Sequence, residues 1–363
     1  MSNSKNQMIS VIIVTYNGGK YINRLLTSLL NAIKFYDETE VVIVDNNSSD
    51  ETLKLIEEYK PLFEGKIKLV RLSKNLGFAG GNNVGIALSE GELILLLNQD
   101  TYVDASALRE IASFFREKPR VGVAQCLLLQ YFYPSLADSC GDSFSSIGLG
   151  IMNCFGERPE RVLTRLRESR EISMARGAAL IIRRSILNIS KLVCGTYIPK
   201  YFVTGGYEDW YLSLLAKSLG YSVELIPECK VYHDSLRQRP HDPYILYNAL
   251  SLFIVLKAPL RMLLGRAIIS MFAVVIMKAS PLKLLYTIPA LFRSLKQRLG
   301  ERYIFDKLMG KKGVKPQNLW EPRISSTQWL RWYINYLRLT QNRNVTVNKT
   351  FLLSNKSLYA RST

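Results

Sequence analysis

The first hundred residues alternate between two hydrophobic periods, and that rhythm constrains the fold more than any other feature of the chain. "ISVIIVTYN" (9–17), "EVVIVDNNSSDET" (40–52), "KIKLVRL" (66–72) and "ELILLLNQD" (92–100) are β-branched or aliphatic runs, the first, second and fourth of which end in polar residues. Between them, "KYINRLLTSLLNAI" (20–33), "SDETLKLIEEY" (49–59) and "GGNNVGIALSE" (80–90) follow helical spacing. Strand runs that alternate with helices in this way call for a parallel sheet covered on both faces. Ligands of such sheets bind beyond the carboxyl ends of the strands. The candidate binding residues are therefore those where the runs stop: Thr15, Tyr16 and Asn17, then Asp45, Asn46 and Asn47, then Asn98 and Asp100.

Each of these positions has a plainer reading. Ser48, Ser49 and Asp50 read as turn and cap residues of the helix that follows them. Asp45 directly follows "VVIV", so its carboxylate is expected in the crevice, where a ribose or a base N–H is its natural partner. "NLGFAGGNNVGI" (75–86) is not a dinucleotide fingerprint: its glycines are spaced G-x-x-G-G, it follows the third run, and no acidic residue stands at a ribose distance after it. Its glycines serve either a close backbone approach to a phosphate or a tight strand-to-helix turn.

Charge divides the chain in two. The 363 residues carry a net charge of +18, yet residues 1–235 hold 26 basic and 26 acidic side chains, whereas residues 236–363 hold 22 basic and 4 acidic. A domain covering 1–240 and a basic, apolar-rich helical region covering 241–363 are expected. The second region holds "ILYNALSLFIVL" (245–256), "AIISMFAVVIM" (267–277) and "LLYTIPALF" (284–292), separated by Lys257, Arg261, Arg266, Lys278, Lys283 and Arg293. None reaches the roughly 18–20 uncharged residues of a spanning helix. Short apolar blocks flanked by cations suit helices lying on an anionic membrane surface, where each cation contributes about 1 kcal/mol. The alternative is a set of core helices in an all-α appendage. Nucleic acid is not expected, since the basic residues alternate with aliphatic blocks and not with aromatic platforms.

The N-terminus lacks a long apolar segment ending in small residues, which predicts a cytoplasmic chain. The five cysteines (Cys126, Cys140, Cys154, Cys194 and Cys229) are widely spaced with no C-x-x-C pair, which predicts a reducing compartment.

Taken in order, "ISVIIVTYN", "VVIVDNNSSDET", "NLGFAGGNNVGI" and "LLLNQDTYVD" resemble the nucleotide-binding half of family 2 glycosyltransferases with the GT-A fold, in particular the rhamnosyltransferase-like branch. "RGAALIIRRSIL" (176–187) and "YEDWYLSLLAKSLGYSVELIPECKVYH" (207–233) continue the resemblance, and "CGDSFSSIGLG" (140–150) does so more weakly. The resemblance implies a mixed, mainly parallel α/β sheet with flanking helices. It also implies transfer of a sugar, such as rhamnose or another hexose, from a nucleoside-diphosphate donor to a hydroxyl of a lipid-linked or cell-surface glycan, with inversion, on the inner face of the plasma membrane. Thr15, Tyr16, Asn17 and Asp45 would hold the nucleotide. Asn75, Gly80 and Asn82 would border its ribose and diphosphate, with Asn98 beside them. Asp100, in "NQD", stands where the family places its D-x-D and would bind Mg²⁺ or Mn²⁺ together with His233, which otherwise reads as a structural histidine. Asp209 would be the general base with Glu208 beside it, unless the pair merely caps its helix.

Two departures stand out. Asn98 replaces the first acid of D-x-D, and Tyr211 stands where many relatives have another acid, which puts acceptor choice in doubt. They motivate a competing reading, a catalytically weakened binding or scaffold protein of a polysaccharide assembly complex.

Overall fold

The computed structural model describes residues 7–145, 149–165, 169–202 and 206–235, together with residues 248, 252, 256, 258, 261, 262 and 299–302. In chain order the elements are β1 (Ile9–Thr15), α1 (Gly19–Ile33), β2 (Thr39–Asp45), α2 (Thr52–Tyr59), β3 (Ile67–Arg71), α3 (Gly77–Leu88) and β4 (Leu93–Asn98). They continue as β5 (Thr101–Val103), α4 (Ala107–Glu117), β6 (Val121–Gln130), β7 (Tyr133–Ser139), β8 (Asp142–Phe144), β9 (Gly150–Met152) and α5 (Pro159–Arg165). The last are β10 (Ala179–Arg183), α6 (Arg184–Cys194), α7 (Glu208–Ser218) and β11 (Ser222–His233). The main sheet runs β3-β2-β1-β4-β10-β6-β11-β5, with β7 paired to β6.

The expected parallel half is present. β1 pairs in parallel with β2 and β4, and β2 with β3, whereas β10 is antiparallel to both its neighbours and makes the sheet mixed. Side chains of a strand alternate between faces. Ile9, Val11 and Ile13 of β1 accordingly join one core with α1 and α4, while Ile12 joins a second core with α3, α6 and α7. Strands buried on both faces read as continuous apolar runs, which is why "VVIV" and "LILLL" show no alternation.

The glycines of α3 have a packing role. A Cβ on Gly81 would lie 2.6 Å from a Val14 methyl, and one on Gly85 would lie 2.4 Å from an Ile12 methyl. One helical turn apart, they let α3 settle directly on β1. Gly77, with φ +72°, makes the turn into the helix. For Gly81 and Gly85 the close approach is to the sheet.

The cysteines correct the sequence reading. Cys126 of β6 and Cys229 of β11 form a disulfide with Cα atoms 4.9 Å apart, Cys140 and Cys154 form a second at 5.7 Å, and Cys194 remains a thiol. β6 and β11 are adjacent, and the register shift between Ile226 and Lys230 brings Cys229 to Cys126. Wide spacing in sequence hid both pairs, so the cysteines do not support a reducing compartment.

Of the basic C-terminal region, the apolar blocks at 267–277 and 284–292 lie outside the described residues. In the block at 245–256 and just after it, Leu252, Leu256 and Met262 are buried in the core shared with α6 and α7. Asn248 donates to the Gly206 carbonyl (3.2 Å). Leu252, Leu256 and Met262 therefore pack against the residues of the preceding domain. Among the described residues no helix is long and apolar enough to cross a membrane.

Seating of α3 on β1 gives a stability test. Replacing a helical glycine gains up to about 1 kcal/mol of propensity, but overpacking costs about 1–3 kcal/mol. Gly85→Val, whose β-branched side chain gains little propensity, should lower the denaturant midpoint by an amount in that second range. An unchanged or raised midpoint would contradict the seating.

Candidate active site

Register gathers the site. Thr15 of β1 lies opposite Asp45 of β2, and Val14 lies opposite Asn98 of β4, so three strands end at one edge. The loops beyond are tied together by side chains. Asn17, at φ 47°, donates its backbone N–H to Ser48 Oγ (2.9 Å) and accepts the Ser49 N–H at its Oδ1 (2.9 Å). Asp50 accepts the N–H of Gly19, the first residue of α1 (3.0 Å), and that of Thr52 (3.1 Å). Ser48, Ser49 and Asp50 therefore brace one loop against the other, and Glu51, not one of these three, occupies the cap position of α2.

The residues expected to hold a nucleotide surround this braced edge. Thr15 is fully buried and donates its hydroxyl to Gln99 Oε1 (2.7 Å), which also accepts the Tyr16 N–H (3.1 Å). The Tyr16 ring is half exposed at the rim. Asp45 is fully buried, and both its oxygens accept the Ser48 N–H (3.1 and 3.3 Å). Asn75 is exposed and accepts the Gly77 N–H (2.8 Å), while Asn82 is buried and donates to the Phe78 carbonyl within α3 (2.9 Å). Gly80 sits against Leu76, whose Cβ would lie 2.6 Å from an added Cβ. Asn46, a strand-end candidate, accepts the Leu76 N–H and donates to the Gly77 carbonyl, fixing the start of α3 to the end of β2.

A second group lies past β4. Asp100 Oδ1 is 3.4 Å from Nε2 of His233, the last residue of β11, and the antiparallel β5–β11 pairing sets His233 opposite Thr101. His233 Nδ1 is 2.9 Å from Asp138 Oδ2. Burial disfavours a charged imidazole here, but the carboxylates of Asp100 and Asp138 on its two sides outweigh it and push its pKa up to about 9. Arg24 reaches over from α1 to the Asp100 carbonyl (3.1 Å) and the Asp234 carboxylate (3.3 Å), with its guanidinium 4.0 Å from the Tyr131 ring centre. His233 Nε2 is buried with no hydrogen-bond partner among the described residues. An orphaned imidazole nitrogen facing a carboxylate fits a divalent cation, which takes few protein ligands and completes its shell with phosphate oxygens and water.

The third group is at the start of α7. Asp209 accepts the Gly177 N–H (3.0 Å) and the Trp210 N–H (2.8 Å). Burial raises its pKa, and the Gly177 N–H and Arg176 only partly offset this. Glu208 beside it is buried, and Tyr207 before it holds φ 72°. Asp142 of β8 meets Arg176 Nη1 (3.3 Å) and the Trp210 indole (3.4 Å). Burial, opposed by Arg176 and reinforced by Asp209, pushes it up to about 6. Tyr211 points away into the core, where its hydroxyl meets Ser190 and Cys194. Its departure from the family pattern is thus a matter of packing between α6 and α7.

Sequence reading did not single out Arg24, Gln99, Asp138, Asp142 or Arg176. The signal for Asp138 and Asp142 was "LADSCGDSF", where two acids fall among otherwise buried positions.

The family description "Glycosyl transferase family 2" matches residues 10–188. Poly(ribitol-phosphate) β-N-acetylglucosaminyltransferase TarS of Staphylococcus aureus (strain Mu50) is 38% identical over 109 residues, covering 30% of this chain and 19% of that protein. The chain thus spans about one fifth of that relative's length. The fold is similar to that of S. aureus TarS 1–349 in complex with UDP-GlcNAc (TM-score 0.53, 20% identity, 79% of this chain and 81% of that one). It is also similar to that of the mannosyltransferase PcManGT from Pyrobaculum calidifontis in complex with GDP-Man and Mn²⁺ (TM-score 0.51, 17% identity, 95% and 89%). Residues 10–188, the part that begins in β1 and runs into α6, form a glycosyl transferase family 2 domain.

Proposed function

We propose that the chain is an inverting glycosyltransferase that moves a sugar from a nucleoside diphosphate to a hydroxyl of a lipid-linked or cell-surface polymer. The observation that carries this reading is the position of Arg176. Arg176 pairs with Asp142 (3.3 Å) while the next residue, Gly177, donates to Asp209 (3.0 Å). Its charge helps hold Asp138 low and partly offsets the burial that raises Asp142 and Asp209, so the carboxylate on the histidine and the carboxylate at the start of α7 share one small field. The edge of β1, β2 and β4 then takes the nucleotide, with Asp45 and Tyr16 on the base and ribose. Asp100 and His233 would hold Mg²⁺ or Mn²⁺, with Asn98 beside them as an uncharged oxygen donor, and the ion would supply the charge that offsets the departing diphosphate. Asp209 takes the acceptor proton while the acceptor oxygen bonds to the anomeric carbon and the bond from that carbon to the diphosphate breaks. Its raised pKa suits a general base. Glu208 positions the acceptor.

The activity in the name of the staphylococcal relative favours N-acetylglucosamine over rhamnose as the donated sugar, and a hydroxyl-rich polyol-phosphate polymer as the acceptor. The cationic, apolar blocks beyond Arg261 would hold the enzyme at the inner membrane face, where lipid-linked acceptors are built.

Three outcomes are expected. Asp209→Asn should lower kcat by roughly 10²–10⁴-fold with little change in the Kd for UDP, measured by single-turnover kinetics and calorimetry. No turnover by the native chain with intact UDP binding would favour the scaffold reading that Asn98 suggests. Because Asp209 must be ionised, kcat/KM should fall as pH drops, with its midpoint above the usual carboxylate range. Asp142→Asn removes a neighbouring acid and releases Arg176 toward Asp209, so it should move that midpoint down; an unmoved midpoint would separate the two carboxylates. Full-length protein should sediment with anionic liposomes at low salt and be partly released at moderate salt. Retention in the supernatant at low salt would remove the membrane from the proposal.

A further inference from the structure

The carboxylate of Asp138 takes no part in the chemistry just described, yet the backbone is bent to deliver it. β6 and β7 pair Leu129 with Ala137 and Leu128 with Ser139, so Asp138 is the extra residue of a β-bulge. A bulge re-aims a side chain that regular pairing would direct elsewhere. Asp138 is fully buried. Its Oδ2 lies 2.9 Å from His233 Nδ1, and its Oδ1 accepts the Ser235 hydroxyl. Ser235 follows His233 by two residues, so the chain leaving β11 fastens the carboxylate from its other side.

We propose that Asp138 is the positioning residue of the cation site: it fixes the ring of His233 so that Nε2 faces Asp100, with Ser235 locking the carboxylate in place. This rests on the reading of Asp100 and His233 as cation ligands. A carboxylate on the far nitrogen would keep the proton on Nδ1 and make Nε2 the more basic nitrogen, which the cation takes by displacing any proton there. Such outer partners are worth 10- to 100-fold in metal affinity. Gln130 bonds the Ala137 carbonyl and so pins the residue just before the bulge (3.1 Å).

The test is calorimetric titration of Mn²⁺ into full-length protein saturated with UDP. Asp138→Ala should weaken Mn²⁺ binding 10- to 100-fold. Asp138→Asn, which keeps an accepting oxygen without the charge, should fall between, and Ser235→Ala should weaken binding by less. His233→Ala should abolish most of the affinity, and adding Asp138→Ala to it should bring no further loss. The chain has only two histidines, so imidazole ¹⁵N spectra with His241→Ala for assignment give a metal-free readout: the slowly exchanging Nδ1–H of His233 should vanish in Asp138→Ala. If native protein takes up no Mn²⁺ with UDP, the cation reading and this proposal both fail. If native protein binds Mn²⁺ and Asp138→Asn binds it equally well, Asp138 is only a brace of the β6–β7 hairpin. Further loss in the His233→Ala background would also overturn the proposal.

Discussion

The structure depends on a sheet that is buried on both faces. Every residue of β2 and all but one of β1 are buried, so a polar side chain within either strand must be satisfied by the protein, as Ser10 and Glu40 satisfy one another near the strand starts. Polar groups that face a ligand are left to the edge where the strands stop. Parallel pairing in register makes β1, β2 and β4 stop together, and the helices returning over each face carry their loops to the same rim. The site is therefore a product of topology before any particular side chain is considered. The loops on that rim are then stiffened at little expense, because Asn17, Asn46, Ser48 and Asp50 use the backbone N–H groups of neighbouring turns as partners. A braced rim preorganises a binding edge.

Beyond that rim the antiparallel additions do a different job. β11 runs beside β6 and ends at His233, β5 pairs back onto it, and the bulge in β7 delivers Asp138 from underneath. Three chain segments far apart in sequence thereby converge on one imidazole. Several carboxylates share this region with two guanidiniums, Arg24 and Arg176, and burial makes each charge dependent on its neighbours. Asp138 shows the balance: burial alone would raise its pKa, and His233, followed by Arg176 and Ser235, brings it below the usual carboxylate range. Asp209 goes the other way, since the Gly177 and Trp210 N–H groups and Arg176 do not outweigh its burial. Two buried acids tuned in opposite directions are what a site needs when one must stay ionised and the other must accept a proton.

The parallel half of the fold was legible because continuous apolar runs and helical spacing are local signals. So were the strand-end residues, which follow from where those runs stop. What was not legible came from long-range geometry. Nothing in the spacing of Cys126 and Cys229 announces a bulge that aligns them. Tyr211 looked like a loss of function in a motif, but helix α7 turns that position toward α6 and away from the site. The glycines of α3 admitted both a ligand and a packing reading, and only the contact of Gly81 and Gly85 with Val14 and Ile12 assigns those two to packing. Leu252 and Leu256 belong to a block that suited a membrane surface by composition, and their burial, with that of Met262 just after it, in the core shared with α6 and α7 depends on contacts that no local pattern encodes.

The central claim is that the strand-end edge and the β11 terminus together form one donor-binding site organised around a cation. Anomalous diffraction from crystals grown with UDP and Mn²⁺ tests it most directly. The account predicts a manganese peak beside Asp100 Oδ1 and His233 Nε2 in contact with the diphosphate, with the uracil lying over the edge formed by Thr15, Asp45 and Asn98. A manganese peak elsewhere, or UDP bound away from that edge, would contradict it.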